Sequence, residues 1–484
     1  MSKDERLVKQ ITPKTEDFSR WYIEIIQKTE LADYAPMKGM MVIRPYGYAI
    51  WENIQRLMDQ RIKATGHVNA YFPLFIPESF LQKEAEHVAG FSPEVAWVTM
   101  GGKEELEERL AVRPTSEAII GYMYSKWIKS WRDLPLLINQ WANIVRWEKV
   151  TRPFLRTTEF LWQEGHTCHE TEEEAKKETL LVLDLYREFV ETELAIPVLS
   201  GRKTLREKFA GAEETFAIEG LMSDGKALQM GTSHNLGQHF SKVFNIRFED
   251  RSQNLQYVWQ TSWGVSTRLV GALIMSHGDD SGLRLPPRIA PVQVALVPIS
   301  LGNWKETVLP TARAAAADLK DAGIRVQLDD RQEFTPGWKF SEHEMRGVPL
   351  RIEIGPRDVK AGQAVLVRRD NFEKTAVPLG ELVVRVKSLL EDIQSYLFRE
   401  AQGFLAENIR EAVGYDEFKN IIETKRGFVK CLWCGREACE DQIKDDTAAT
   451  IRVIPMEGEG RPVEGLCICC GREAKALAFF ARAY

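Results

Sequence analysis

The chain has 484 residues, which is too long for one compact core and favours two or three domains. A hydrophobic fraction of 44%, a charged fraction of 28% and a net charge of -6 exclude a disordered chain and a protein that binds polyanions through its overall charge. No apolar run reaches the roughly 18 residues of a membrane helix, and the polar N-terminus lacks a signal-peptide core, so we expect a cytoplasmic protein with no membrane anchor.

The region up to about residue 282 combines a helical pattern with short apolar runs. Residues 48–65 have the spacing of an amphipathic helix, whereas residues 134–145 and 257–263 read as strands. Several common enzyme signatures are missing from the sequence, namely GxxxxGK[ST], GxGxxG after a strand, HExxH and GxSxG. A nucleotide would therefore have to be bound by another arrangement.

Residues 145–167, VRWEKVTRPFLRTTEFLWQEGHT, interleave charged and aromatic side chains. An apolar strand ends at Arg146 and Glu148, and the chain returns through Arg156 and Phe160, which predicts an antiparallel hairpin. Such a hairpin can hold an adenine between an aromatic ring and a guanidinium, with arginine on phosphate and Glu148 accepting from the purine amino group. The alternative interpretation is a solvated edge hairpin with surface salt bridges.

Residues 263–268, WGVSTR, precede the apolar segment LVGALIM. This order predicts a glycine turn followed by a buried helix with Arg268 at its head. The arginine could point its charge into a cleft while the helix body is buried. The alternative is an ordinary helix start with an incidental arginine.

A boundary is predicted at residues 278–291, which are rich in glycine, proline and charge. The strand-like runs VQVALVPI, GIRVQLDD, VPLRIEIG and QAVLVRR then alternate with an alanine-rich helical segment near residues 305–322. This order predicts a small α/β domain over about 288–390. A further helical segment, starting near residue 389, leads into the cysteine-rich end.

Six of the seven cysteines lie close to the C-terminus, and only Cys168 stands apart. Without a secretory signal, clustered cysteines favour a metal site over disulfides. The near-copies CLWCGRE and CICCGRE, by their spacing alone, pair Cys431, Cys434, Cys467 and Cys470 as the two halves of a zinc ribbon. The alternative is a set of free structural thiols.

Taken together, these blocks resemble the prolyl-tRNA synthetases, class II aminoacyl-tRNA synthetases, of the archaeal and eukaryotic type, and the resemblance covers essentially the whole chain. The helix before HVNAYFPLFIP resembles class motif 1, RWE at 146–148 continuing to Phe160 resembles motif 2, and GVSTR resembles motif 3. The assignment to proline rests on RPTSE at 113–117, FLWQEGH at 160–166, KFAGA at 208–212 and GTSHNLGQ at 231–238. The interval between His166 and Trp263 is too short for the editing insertion of the bacterial type.

The resemblance implies a mixed α/β (α+β) protein of three parts. These are a class II antiparallel-sheet catalytic domain at 1–284, an α/β anticodon-binding domain at 285–395 and a small zinc-binding domain at 396–484. The implied reaction activates L-proline with ATP to prolyl-adenylate and transfers the prolyl group to the 3' end of tRNA(Pro), in a homodimer formed through motif 1. A non-catalytic, synthetase-like tRNA-binding paralogue is the alternative. Retention of Arg146, Arg268, Thr115 and Glu117 argues against it.

The resemblance also implies roles for individual residues, in a reaction that depends on alignment and charge stabilisation. Arg146 is expected at the α-phosphate and the substrate carboxylate, and Arg268 at the γ-phosphate. Mg²⁺ is expected on the ATP phosphates, with Glu219 only a candidate ligand. The positions implied for proline are Thr115, Glu117, Arg146, Trp162, Glu164, His166, Phe209 and His234. The positions implied for ATP are Arg146, Glu148, Arg156, Phe160, Gln229, Thr232, Ser266 and Arg268.

Two further sites follow from the resemblance. Glu344 and Arg351 match the anticodon-reading positions, in a segment with an excess of lysine and arginine that could otherwise be a solvated face. The matching zinc ligands are Cys434, Cys439, Cys467 and Cys470, a set that replaces Cys431 with Cys439. Either set of four thiolates gives a closed site for structural Zn²⁺.

Overall fold

The computed structural model describes residues 11–87, 94–456 and 463–484. In the N-terminal region, up to residue 291, the helices are α1 (Phe18–Lys28), α2 (Pro45–Ala64), α3 (Glu78–His87), α4 (Glu117–Trp127), α5 (Glu172–Glu193), α6 (His239–Val243) and α7 (Arg268–His277). The strands of this region are β1 (Ala32–Tyr34), β2 (Met41–Ile43), β3 (Val68–Asn69), β4 (Phe75–Pro77), β5 (Trp97–Gly101), β6 (Glu104–Val112), β7 (Leu136–Val145), β8 (Glu159–His169), β9 (Val198–Arg202), β10 (Glu214–Leu221), β11 (Ala227–Gly237), β12 (Arg247–Glu249), β13 (Leu255–Tyr257) and β14 (Trp259–Ser266).

The central region, residues 292–407, is a five-stranded sheet with flanking helices. Its elements are β15 (Val294–Pro298), α8 (Trp304–Thr307), α9 (Leu309–Asp321), β16 (Val326–Leu328), α10 (Pro336–Met345), β17 (Leu350–Ile354), α11 (Pro356–Ala361), β18 (Gln363–Arg368), β19 (Lys374–Pro378) and α12 (Leu382–Glu407). The strand order is β16-β15-β17-β18-β19, parallel over the first three strands and antiparallel over the last three. The predicted α/β domain is therefore confirmed, and α12 continues without a break through residue 395, where the sequence placed the end of this domain.

The C-terminal region, residues 408–484, contains β20 (Ile409–Glu411), α13 (Tyr415–Asn420), β21 (Phe428–Trp433), α14 (Glu437–Thr447), β22 (Thr450–Pro455) and β23 (Ala476–Ala481), with a π-helical turn at Ile421–Lys425. Within the described ranges of the chain, none of the helices combines the length and apolar character needed to cross a bilayer.

One eleven-stranded sheet runs through both the N-terminal and the C-terminal regions. Its strand order is β20-β21-β23-β22-β9-β10-β11-β14-β8-β7-β3, and it is antiparallel except at its two outermost pairs. The two regions meet where β22 pairs with β9, with Ile454 opposite Arg202 and Pro455 opposite Gly201. The C-terminal region, expected as a separate small domain, is thus an extension of the N-terminal sheet.

Helices cover one face of the N-terminal part of this sheet. The longest of them, α5, starts at a capping box in which Thr171 Oγ1 accepts from the Glu174 N–H at 3.2 Å and Glu174 Oε2 accepts from the Thr171 N–H. Buried side chains of α1, α2, α5 and α7 form one apolar core with side chains of the sheet, including Trp263 of β14. Side chains alternate between the two faces of a strand, so alternate residues of β8, β11 and β14 face away from this core. That second face carries the candidate site.

Candidate active site

A cleft of about 500 Å³ opens on the opposite face of the sheet, a volume within the usual range for small-molecule sites. Strands β8, β11 and β14 form its floor, and the starts of α4 and α7 form two of its walls. The structure brings together in its lining most of the residues predicted for proline and ATP, namely Thr115, Glu117, Arg146, Phe160, Trp162, Glu164, His166, Phe209, Gln229, Thr232, His234, Ser266 and Arg268.

Two residues predicted for ATP, Glu148 and Arg156, do not line the cleft. They lie in the loop between β7 and β8, where Arg156 Nε is 3.2 Å from Glu148 Oε2 and the Arg156 side chain is 61% exposed. The predicted antiparallel hairpin itself is confirmed, because β7 pairs with β8 up to Val145 opposite Glu159. The ATP roles of Glu148 and Arg156 stay predictions, and both residues lie near enough to act on the cleft arginines, Glu148 on Arg146 and Arg156 on Arg268.

Arg146 is held at the mouth of that hairpin by the backbone and by two aromatic rings. Its Nε donates to the carbonyl oxygen of Pro114 at 3.0 Å, and its guanidinium lies 5.7 Å from the ring centroids of both Phe160 and Trp162. Burial lowers the pKa of Arg146, and the nearby carboxylates of Glu117 and Glu164 oppose that effect. A guanidinium fixed in this way at the wall of the cleft is preorganised to bind an anion.

Arg268 is the first residue of α7 and brings a second, half-buried cation to the cleft. Its Nε donates to the carbonyl oxygen of Leu155 and its Nη1 to that of Gln229, both at 3.2 Å. Burial, and then the positive charge of Arg146, lower the pKa of Arg268 to about 10, so it stays charged at neutral pH. Two arginines that repel each other at the walls of one cleft favour an anionic ligand between them.

Glu164 and His166 form a buried ion pair on the floor of the cleft. His166 Nε2 lies 2.9 Å from Glu164 Oε2, while Ser116 Oγ and Gln140 Nε2 donate to Glu164 Oε1 at 2.5 and 2.7 Å. Burial alone would raise the pKa of Glu164, but these hydrogen bonds outweigh it and lower the pKa. Burial alone would lower the pKa of His166, but the Glu164 contact raises it. Both shifts favour the charged pair, and its stabilisation is lost as the pH falls through the pKa of Glu164 or rises through that of His166.

His234 faces the same pocket as a neutral donor. The N–H of Phe209 donates to Thr215 Oγ1 at 3.0 Å, and Thr215 Oγ1 lies 3.0 Å from His234 Nδ1. The threonine hydroxyl can accept from Phe209 and give its own proton to Nδ1, an arrangement in which the ring proton of His234 is on Nε2. The Phe209 ring lies 4.8 Å from the imidazole and closes this side of the pocket.

We expect His234 to stay neutral when the pH is lowered from about 7 to about 5, because burial and the nearby His166 lower its pKa to about 3. In the unfolded chain the same imidazole takes up a proton below about pH 6.5, so the folded state loses stability as the pH falls through that window. Histidine-selective NMR would check the titration, with His234→Gln identifying the resonance. A midpoint near the ordinary value would contradict the expected tautomer and burial.

The four cysteines indicated by the resemblance lie together in the C-terminal region. The Sγ atoms of Cys434, Cys439, Cys467 and Cys470 are all within 4.8 Å of one another, and Cys434 is 3.6 Å from both Cys439 and Cys470. Four thiolates at a zinc–sulfur distance of about 2.3 Å in a tetrahedron would be about 3.8 Å apart, so the cluster fits zinc with little movement. Cys431, chosen by spacing alone, is not part of this group and packs in the apolar core of the region.

Glu219, the candidate magnesium ligand, is held by two protein cations instead. Lys203 Nζ lies 2.6 Å and Arg452 Nη2 2.8 Å from Glu219 Oε1, and Arg452 Nε lies 3.2 Å from Oε2. All three residues are buried, and Glu219 does not line the cleft. The carboxylate of Glu219, named from the sequence only as a candidate for Mg²⁺, is thus already neutralised by Lys203 and Arg452.

The two residues predicted to read the anticodon lie together in the central region. Arg351 Nη1 donates to Glu344 Oε1 at 2.5 Å, and Arg351 Nε donates to Glu353 Oε1 at 3.0 Å. The ring of Phe340 lies 4.2 Å from the Arg351 guanidinium. Arg351 is buried, so this part of the segment is an ordered charged network and not a freely solvated face.

The cleft also contains residues that sequence reasoning did not assign. These are Pro114, Glu207, Lys208, Thr215, Met230, Gly231, Ser262, Trp263, Gly264 and Val265. Ser262, Gly264 and Ser266 are alternate residues of β14. Because alternate residues of a strand face the same side of the sheet, the assignment of Ser266 to the site would have predicted that Ser262 and Gly264 also face it. Glu207 carried no such signal, because it lies in irregular chain between β9 and β10. Thr215 of β10 enters the cleft because its strand pairs it with His234 of β11, and such pairing cannot be seen locally in the sequence.

Three family descriptions match the chain. They are "tRNA synthetase class II core domain (G, H, P, S and T)" at residues 97–277, "Anticodon binding domain" at 293–389 and "Prolyl-tRNA synthetase, C-terminal" at 415–484. Among curated proteins, the chain is similar to the proline--tRNA ligase of Natranaerobius thermophilus, with 61% identity and 100% of both chains covered. It is 58% identical to that of Alkaliphilus oremlandii, covering 100% of this chain and 99% of the relative. It is 56% identical to that of Symbiobacterium thermophilum, with 100% of both covered.

Proposed function

The chain belongs to the prolyl-tRNA synthetase family, and on that premise we propose how its cleft joins proline to tRNA. It is a ligase with a class II core, and it uses ATP to couple L-proline to tRNA. The relatives are proline--tRNA ligases over their full length, and nothing in the comparisons supports the non-catalytic paralogue.

One loop carries the proposal for proline. Residues 114–117 supply the Pro114 carbonyl oxygen that holds Arg146 at 3.0 Å, and they also supply Thr115 and Glu117, whose side chains are hydrogen-bonded to each other. A guanidinium and a carboxylate are thus fixed at adjacent points of one cleft. We propose that Glu117 and Thr115 bind the secondary ammonium of proline and Arg146 its carboxylate, with His166, Phe209 and the other wall residues enclosing the ring.

The reaction needs alignment and no side-chain nucleophile. A carboxylate oxygen of proline attacks the α-phosphorus of ATP, the bond to pyrophosphate breaks, and the ribose hydroxyl at the 3' end of tRNA then displaces AMP from the prolyl group. We assign Arg146 to the α-phosphate, because it is positioned to contact both anions, and Arg268 to the γ-phosphate. Charge-assisted hydrogen bonds to the phosphoryl oxygens stabilise the transition state.

The remaining ATP contacts follow from the lining of the cleft. We propose that Phe160 stacks on adenine and that Gln229, Thr232 and Ser266 contact the nucleotide. Mg²⁺, which supplies charge neutralisation on ATP phosphates, would be held by the phosphate oxygens themselves, since Glu219 is already paired. The four-cysteine cluster would hold structural Zn²⁺, because four thiolates leave no open coordination position for chemistry.

Pyrophosphate exchange into ATP, run with each of the twenty amino acids and no tRNA, tests this function. We expect exchange with proline to exceed exchange with every other amino acid. A folded protein that exchanges with none of them would overturn the proposed activation step.

We propose that the enzyme is a cytoplasmic homodimer associated through the motif 1 surface. The β1–β2 hairpin and the segment after α2 expose large apolar side chains there, including Tyr34, Tyr71 and Phe75, at 58%, 71% and 44% exposure. Such exposed apolar groups are typical of association surfaces. Sedimentation equilibrium would test the dimer by measuring the mass of the protein in solution.

Arg351→Lys and Glu344→Gln are each expected to raise the KM for tRNA about 10- to 100-fold, because a base-edge contact is worth about 1–3 kcal/mol. Proline-dependent pyrophosphate exchange, which needs no tRNA, should be unchanged. Arg313→Ala, at an exposed arginine of α9 paired with Asp330, is the matched control. Aminoacylation kinetics would check this, and equal tRNA KM values in all variants would contradict an anticodon role.

A further inference from the structure

A buried glutamine, Gln140 of β7, lies directly behind the proline wall of the cleft. We infer that Gln140 is a positioning residue for proline recognition, which fixes the Glu164–His166 pair and the loop 114–117 relative to each other. The inference rests on the proposed function of this cleft. It concerns a side chain that does not line the cleft and that none of the roles above includes.

The orientation of the Gln140 amide is fixed by a backbone donor. Gln140 Oε1 accepts from the N–H of Phe72 at 2.5 Å. A backbone N–H can only donate, so the oxygen of the amide must face Phe72 and the NH₂ group must face the opposite way. Phe72 is itself buried and belongs to the segment between α2 and β4.

The NH₂ group of Gln140 therefore points at Glu164. Gln140 and Glu164 are direct cross-strand partners, and Gln140 Nε2 donates to Glu164 Oε1 at 2.7 Å. The same oxygen accepts from Ser116 Oγ at 2.5 Å, and Gln140 Nε2 is 3.5 Å from that hydroxyl. Gln140 thus ties the carboxylate to the sheet while Ser116 ties it to the substrate loop.

Loss of this amide would affect both ends of the proline site. Ser116 lies between Thr115 and Glu117, which we assign to the secondary ammonium of proline, and Glu164 Oε2 holds His166 in the pocket wall at 2.9 Å. If Glu164 moves, the loop and the histidine move with it. ATP contacts at Arg268 and Phe160 do not depend on this network. We therefore expect a selective effect on the KM for proline.

The charged and titratable groups around this network decide how a new carboxylate would behave there. Glu164 faces His166 on its own strand, Arg146 from the hairpin loop and Tyr124 from α4. His166 in turn faces Glu117 of α4 and His234 of β11. A carboxylate at position 140 would contact Glu164 directly, so the two would share a proton when one is available.

Gln140→Glu is the decisive variant, because a protonated glutamic acid has the same hydrogen-bonding pattern as the amide. At about pH 8 the ionised side chain repels Glu164, and we expect the KM for proline to be at least about tenfold above wild type. At about pH 6 the introduced carboxylic acid, once protonated, donates to Glu164 and accepts from Phe72, so the ratio of variant to wild-type KM should fall at least about fivefold. The KM for ATP should change much less than the KM for proline, whereas kcat does not discriminate, because Pro114 of the same loop also holds Arg146.

Gln140→Met keeps the size of the side chain and removes both hydrogen bonds. We expect a raised KM for proline at every pH, with no recovery at low pH. Gln163→Glu is the matched control, since Gln163 is equally buried in the adjacent strand but faces Tyr186 of α5 on the other side of the sheet. It should lower the melting temperature without a pH-dependent change in the proline KM ratio.

The outcomes separate this inference from the proposed function. No proline-dependent exchange by the wild type would overturn the function itself. An active wild type with a Gln140→Glu variant whose proline KM ratio is flat with pH, or is matched by Gln163→Glu, would overturn the role of Gln140. If Gln140→Glu does not fold, Gln140→Met decides: a raised proline KM with an unchanged ATP KM supports the role, and an unchanged proline KM overturns it.

Discussion

Arg146→Ala is expected to reduce proline-dependent pyrophosphate exchange at least about a thousandfold. Arginines that neutralise charge on a phosphoryl group contribute about 10³–10⁵ in rate, and Arg146 is assigned to both the substrate carboxylate and the α-phosphate. Its removal would also take away the positive charge that faces Glu117 and Glu164, so two anionic substrates would enter a more negative site. The loss should therefore appear in kcat as well as in the KM for proline.

Arg146→Lys separates charge from geometry. A lysine keeps the positive charge but lacks the planar guanidinium with its several fixed donors. In Arg146 one of these donors binds the Pro114 carbonyl oxygen, and the guanidinium lies beside the rings of Phe160 and Trp162 while it faces both substrate anions. We expect it to recover only a small part of the activity lost in Arg146→Ala. Arg247→Ala, at an exposed arginine of β12 outside the cleft lining, is the control and should retain wild-type exchange. Exchange by Arg146→Ala within about tenfold of wild type would refute the assignment.

Cys439→Ser is expected to abolish zinc binding and to destabilise the protein by more than about 4 kcal/mol, since metal loss is among the few single changes with effects of that size. Structural zinc stabilises folding directly, because the unfolded chain has no preformed site. Loss of the zinc site should destabilise the catalytic region as well, because β22 of the C-terminal region pairs with β9 of the catalytic sheet. Proline activation should therefore fall together with stability.

Metal content and urea unfolding of two cysteine variants would check this prediction. Cys431→Ser is the matched control, because Cys431 is as buried as Cys439 in the same region but lies outside the four-thiol group. The Cys431→Ser variant should keep its zinc, and its free energy of unfolding should fall by only roughly 1–3 kcal/mol, the cost of burying a hydroxyl without a hydrogen-bond partner. Zinc retained in Cys439→Ser and lost in Cys431→Ser would reverse the assignment in favour of the ligand set predicted from spacing.

Local patterns in the sequence predicted much of the fold and most of the site. The helix at 48–65, the strand ending at Val145 and the position of Arg268 at a helix start could all be derived from spacing and flanking residues. The residues of the cleft were predicted from short sequence blocks that occur in the same order in the family. These features depend on neighbours in the chain, which is why a single sequence shows them.

Features that depend on distant pairing were missed. Nothing near Arg202 or Ile454 indicates that their strands pair, so the C-terminal region was expected as a separate domain. Glu219 looked like a metal ligand because its two cationic partners, Lys203 and Arg452, are brought to it only by the folded sheet. Gln140 lies in an apolar strand, and its role depends on Phe72, which a crossover places beside it.

The continuous sheet has a consequence for synthesis on the ribosome. Strand β9 emerges early, whereas β22, which covers its free edge, is among the last strands to be translated. During that interval the nascent chain exposes an open strand edge of the kind that pairs with other chains and aggregates. Arg452 arrives with β22, so the Lys203–Glu219 pair also lacks its second cation until then. The catalytic half of the protein is therefore completed only when the last part of the chain has been made.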